Sequence, residues 1–145
     1  MSNIGNVKAQ IKTVLDTLSP TYVKSVTISD VKKDPLDAEI GAYPAIFIMP
    51  PALGASERLD NRTNLRDYTF FLLVVMKGED TNTPDVEDLM ERVVNVLDNA
   101  ITLSGTAIGG ITPVTSAPEA FQHNSRDLIV FDVIIKARVT ETLTF

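Results

Sequence analysis

One histidine and no cysteine bound the chemistry open to this sequence of 145 residues. Thiolate metal sites, disulfides and cysteine nucleophiles are excluded. His123 stands in the polar stretch Gln122-His123-Asn124-Ser125 and reads as a surface loop residue. A single histidine without cysteine does not make a zinc site. No G-x-S-x-G elbow is present, and a serine triad would have to take its base from that loop. Gly109-Gly110 lacks the longer glycine pattern and the Lys-Ser/Thr end of a phosphate loop, so it reads as a turn. Glu79, Asp80, Asp85, Glu87, Asp88 and Glu91 cluster, but without the spacing and central glycine of a calcium loop. A solvated helix start explains them. The sequence therefore predicts no catalytic, cofactor-binding or metal-binding residue and no enzymatic activity.

The polar cluster with the most regular spacing is basic. Three of the six arginines, Arg58, Arg62 and Arg66, recur at intervals of four, with Glu57, Asp60 and Asp67 interleaved. On an extended strand an even interval keeps them on one face. Two readings stand side by side. The residues form a solvated hairpin with mixed charge, or a polar interface on a projecting arm whose arginines meet a neighbour's carboxylates.

The elements that must carry these residues follow from periodicity. Ile4, Val7, Ile11, Val14, Leu15 and Leu18 recur at helical spacing, which predicts a helix over 4–18 that Ser2 or Asn3 caps and Pro20 ends. Residues 22–31 read as a strand and 32–42 as a loop. The stretch 43–51, Tyr-Pro-Ala-Ile-Phe-Ile-Met-Pro-Pro, is apolar on both faces and reads as an interior strand. Residues 51–64 read as a long polar connection. A long strand follows, from about Asn64 to Met76, so that the region around 51–67 forms a hairpin standing out from the body.

The clearest helix spans 84–101. Thr83 caps it, Pro84 occupies its first position, and Val86, Leu89, Met90, Val93, Val94, Leu97, Ala100 and Ile101 make its stripe. Asp88 and Arg92 are spaced for an ion pair, and Gly105 marks a stop. A strand near 111–116, between turn-rich stretches, precedes a second long strand from 128 to 140 or beyond. The predicted class is α+β, with an antiparallel or mixed sheet of four to five strands and two helices packed on one face. The order is helix, three strands, helix, two strands, in one domain over 1–145.

Composition narrows the function. The net charge is −6, against the basic excess of proteins that grip phosphates. An acidic wall can still surround DNA and let it slide. The longest apolar run, Phe70–Met76, has seven residues, against about twenty for a membrane span. The first ten residues show no basic-then-apolar signal pattern.

That run poses a packing question. Phe70, Leu72, Val74 and Met76 lie on one side of the strand, and Phe71, Leu73 and Val75 on the other. Each large side chain gains about 1.5–3 kcal/mol on burial, so neither row is left wet at small cost. Two single-stripe helices cover one face, so the other predicts a partner surface, supplied most economically by another copy.

The whole pattern resembles the tail terminator, or tail-to-head joining, proteins of long-tailed bacteriophages. The resemblance rests on the first amphipathic helix, the strand "AYPAIFIMPP", the strand "RDYTFFLLVVM", the helix "TPDVEDLMERVVNVLDNA" and the closing strand "LIVFDVIIKARVT". It implies a structural virion protein that forms a hexameric ring on the tail tube, ends tube polymerisation and joins the tail to the head. The implied partners are further copies of the chain, the tube protein and a head-completion or neck protein. DNA only passes through the lumen, no cofactor or membrane is involved, and the setting is the tail-neck region of the virion after assembly in the host cytoplasm. Under that reading the expected interface comprises Glu57, Arg58, Asp60, Arg62, Arg66, Phe70, Leu72, Val74 and the terminal Phe145, with "TETLTF" adding a strand or tail to a neighbour. The alternatives are another neck or tail component, such as a head-completion or tube protein, and a small α+β enzyme using carboxylates.

Overall fold

The computed structural model describes residues 3–19, 21–28, 43–58, 60, 63–78, 83–99, 111–123 and 126–142. In chain order the elements are α1 (Asn3–Asp16), β1 (Ser25–Ile28), β2 (Ala45–Ile48), β3 (Ala52–Arg58), β4 (Thr63–Lys77), α2 (Thr83–Asp98), β5 (Ile111–Thr115), β6 (Glu119–His123) and β7 (Arg126–Thr142). The class is α+β, as the patterning predicts, but the described residues form seven strands in place of the expected four to five. Among the described residues the order is helix, four strands, helix, three strands. The expected loop at 32–42, the stripe end at Ala100 and Ile101, Gly105 and Gly109-Gly110 lie outside the described residues.

Two long antiparallel strands form the axis of the sheet. β4 and β7 pair continuously from Thr63↔Thr142 to Lys77↔Leu128. Fifteen residues at about 3.3 Å each give a ribbon roughly 50 Å long, far beyond a typical strand. Each axial strand is flanked along its outer side by an interrupted strand. β2 and then β3 run along β4, with the register slipping between Ile48↔Leu72 and Ala52↔Thr69 and again between Leu53 and Ser56. β5 and then β6 run along β7, with one slip between Thr115↔Val133 and Glu119↔Val130. At that slip Ser116 N–H donates to the Asp132 carbonyl at 2.9 Å, and Asp132 N–H donates to Ser116 Oγ at 2.9 Å. The hydroxyl thus takes the place of a backbone acceptor in the ladder. β1 adds to β2 in parallel, which makes the sheet mixed.

The core lies on one face of this sheet. α1 offers Val7, Ile11 and Leu15, with Leu18 added from the turn that follows it, and α2 offers Val86, Leu89, Val93 and Leu97, all buried and each helix's set spaced for one stripe. α1 contacts β1, α2 contacts β5, and the helices touch each other. They therefore lie side by side over a single face. Beneath them sit Tyr68, Phe70, Leu72, Val74 and Met76 of β4, with Phe131, Val133, Ile135, Ala137 and Val139 of β7. α1 ends in a tight turn: Leu18 N–H donates to the Leu15 carbonyl and Ser19 N–H to that of Asp16, both at 3.0 Å. Thr17 Oγ1 satisfies the Val14 carbonyl at 2.7 Å.

Two segments depart from expectation. Residues 52–58, expected as polar connection, form β3. The segment Ala-Leu-Gly-Ala-Ser-Glu-Arg has little β propensity, and its backbone is ordered by pairing with β4. Residues 119–123 form β6, so His123 stands on a strand opposite Arg126 and not in the expected loop.

Candidate assembly surface

The outer half of the ribbon is an arm in which three strands run side by side. The hairpin expected around 51–67 exists as β3 and β4, and β7 backs it along its length. Directly opposed residues share a face. On the helix side, Asn64 therefore lies between Arg58 and Glu141, and Arg66 between Ser56 and Val139. On the far side, Leu65 lies beside Glu57, and Asp67 beside Arg138.

An arginine clamps each face of the arm. On the helix side Arg66 Nε donates to Glu141 Oε1 at 2.8 Å and its Nη1 to the Gly54 carbonyl at 2.8 Å. Tyr68 Oη donates to Glu141 Oε2 at 2.7 Å. One carboxylate and one guanidinium thus join β3, β4 and β7. Burial pushes the Glu141 carboxyl upward, but the hydrogen bonds from Arg66 and Tyr68 and the Arg66 charge outweigh it and hold the group below its ordinary value. On the far side Arg138 Nε donates to Asp67 Oδ1 at 2.9 Å, and Arg138 Nη2 lies 3.9 Å from Glu57 Oε2. Gly54 allows the close approach of β3, since a Cβ there would stand 3.1 Å from the Asp67 carbonyl oxygen.

The expected interface residues therefore separate into distinct roles. Arg66, expected to reach a neighbour's carboxylate, is committed to Glu141 and Gly54 of its own chain. Asp60 is tied to the start of β4, its Oδ1 accepting from Thr63 N–H at 2.8 Å. Glu57 and Arg58 are exposed on β3. Phe70, Leu72 and Val74 are each 0 % exposed beneath the helices, so they form core and offer no surface. Arg62 and Phe145 lie outside the described residues. The "TETLTF" segment is spent in part within its own chain, since Thr140, Glu141 and Thr142 pair with Leu65, Asn64 and Thr63.

Two of the exposed apolar side chains among the described residues, Phe71 and Val114, belong to the alternate row. Phe71 is 37 % exposed, and Val114, sharing its face through Ile134, is 55 % exposed. Leu73, Val130 and Ile134 flank them, half-buried. Toward β2 this second face holds a small cluster of its own, Ala45, Phe47, Val75 and Leu128. The far face is thus sealed at one end and open at its middle. The rows were separable in principle. β7 has one row that is apolar from Ile129 to Val139 and one carrying Asp132, Lys136 and Arg138, and the register sets that mixed row against Phe71 and Leu73.

Among the described residues, two grooves accompany the helices. One, of about 320 Å³, lies between α2 and β5 and is lined by Glu87, Met90, Glu91, Val94, Asn95 and Thr115. The other, of about 190 Å³, includes Tyr22, Pro44, Met76, Asp85, Asp88 and Arg92. Its centre is spoken for: Arg92 Nε donates to Asp88 Oδ2 at 2.8 Å, and the guanidinium carbon stands 3.8 Å from the centre of the Tyr22 ring. Among the described residues, no group of three or more His, Cys, Asp or Glu side chains is placed to hold a metal ion. No helix among them is long and apolar enough to cross a membrane.

Comparison with known proteins adds a fold. A solved chain described as "Virion of native gene transfer agent (GTA) particle" superposes with a TM-score of 0.51. The match covers 92% of this chain and 91% of that one, at 17% sequence identity. The likeness establishes a shared fold along nearly the whole chain. No protein-family model and no curated protein sequence matches.

Proposed function

We propose that this chain is a structural component of a phage-like virion, and within it the tail terminator. Copies form a ring that caps the tail tube, ends its growth and joins the tail to the neck, while DNA passes through the lumen. The chain catalyses no reaction and needs no cofactor. The observation that carries this reading is the likeness of fold, over 92% of the chain, to a chain of a virion. The sheet supports it as well: both helices lie on one face, and Phe71 and Val114 stand bare on the other, a condition that further subunits relieve. The net charge of −6 suits a channel through which a polyanion slides without being gripped.

Negative-stain imaging of the purified protein, alone and mixed with tail tubes, tests the reading. Discrete rings, free or seated on one tube end, are the expected result. Open-ended tubes would identify a tube subunit instead, and single chains under both conditions would overturn the ring.

A further inference from the structure

The contact that closes such a ring can be placed on two surfaces of the chain; this inference rests on the ring reading. One surface is the outer edge of β3. The slip between Leu53 and Ser56 changes the register by one residue, so Leu53 opposes Tyr68 while Arg58 opposes Asn64. Both partners belong to the same row of β4. Leu53 and Arg58, five apart, would point to opposite faces of a regular strand; the bulge brings them to one face. Leu53 is 51 % exposed, and Arg58 is exposed without an ion pair among the described residues. The edge strand thus presents on one face an apolar knob and, about 13 Å further along, a cation with no ion pair among the described residues.

The other surface is the 320 Å³ groove between α2 and β5. Met90 and Val94 line it together with the exposed Glu87 and Glu91. These two glutamates are spaced i,i+4 on one helix, a destabilising like-charge pair unless a cation intervenes. Neither makes an ion pair among the described residues. The groove therefore lacks what the β3 edge carries. β3 flanks β4 on the β2 side and the groove lies at β5, so the two surfaces occupy opposite edges of the sheet. A contact between different surfaces on opposite edges is heterologous. It propagates in one direction and closes into a ring when the rotation per subunit allows.

We propose that the β3 edge of one copy docks in the α2–β5 groove of the next, Leu53 against Met90 and Val94, and Arg58 between Glu87 and Glu91. Two surface double variants test it by sedimentation velocity, with thermal melting as the control for folding. The arm variant carries Leu53→Ser and Arg58→Ser; the groove variant carries Glu87→Lys and Glu91→Lys. Each is expected to melt as the wild type does and to lose the ring. Mixed together, they are expected to form a two-chain complex and nothing larger, since only the groove of the first and the arm of the second remain intact. Rings in either variant alone, or a mixture of folded chains that stays monomeric, would overturn the contact while leaving the ring reading in place. A wild-type chain that stays single, alone and on tail tubes, would remove both.

Discussion

Glu141 stands where the arm is tied together, and its two oxygens are both engaged, one by Arg66 and one by Tyr68. Its side chain is 19 % exposed and that of Arg66 28 %, so solvent screens the pair only in part. Hydrogen bonds to charged groups contribute about 1.5–3 kcal/mol when well made. Glu141→Gln is therefore expected to lower stability at neutral pH by about 1–2 kcal/mol, read from the urea midpoint. The pH dependence has a definite sign. The folded carboxyl titrates below its ordinary value of 4.5. Its contribution is thus fully present above 4.5 and lost as pH falls through the lower, folded value. The wild type and Glu141→Gln should then converge in acid, and a gap that widened there would contradict the clamp. Tyr68→Phe removes one donor from a buried position and should cost about 1 kcal/mol without changing the fold.

At the scale of the element, the two rows of β4 are set apart by their cover. Phe70 is 0 % exposed, at the centre of the core beneath both helices, whereas its neighbour Phe71 is 37 % exposed on the far face. Phe70→Ala should therefore destabilise the dilute, unassembled chain by about 3–5 kcal/mol. Phe71→Ala should cost roughly 1 kcal/mol or less, because solvent already reaches the ring. Chemical denaturation of the two variants side by side checks the register: equal losses would mean that the far face is sealed after all. β5 shows the complementary device of edge protection. Ser116 and Asp132 form a hydrogen-bonded pair, and in an antiparallel ladder such pairs recur at every second residue. Pro113 then falls at a position whose missing N–H faces outward. An outer strand is expected to bear proline there, which discourages pairing in an uncontrolled register.

For the whole molecule, charge and topology set what can approach it. With a net charge of −6, the assembled protein should show no shift of duplex DNA in an electrophoretic mobility assay at physiological ionic strength, since phosphate contacts dominate such affinity. Retarded duplex would contradict passive passage through a lumen. Among the described residues no strand pairs with the outer side of β1 or of β5, and the groove and the β3 edge lie on opposite sides of the sheet. A contact between them leaves each copy with one donor and one acceptor surface, the condition for a ring or a tube and not for a closed dimer.

Much of the architecture is legible in the residues. α1 and α2 announce themselves by stripes such as Val7, Ile11, Leu15 and Val86, Leu89, Val93, Leu97, because a helix with one buried face must repeat near 3.6. The long strands are equally plain, since runs such as Leu128–Val139 satisfy a period of two. The poverty of histidine and cysteine also follows from composition alone. What composition and period leave open is pairing. Backbone hydrogen bonds are blind to side chains, so β3 and β6 form from segments with little β character once β4 and β7 lie beside them. Both rows of β4 are apolar, and a shift of one residue exchanges them. Only the register of β4 against β7 assigns Phe70, Leu72 and Val74 to the core and leaves Phe71 bare. The same register spends Arg66 on Glu141, within the chain, because it brings residues 75 positions apart to within a hydrogen bond.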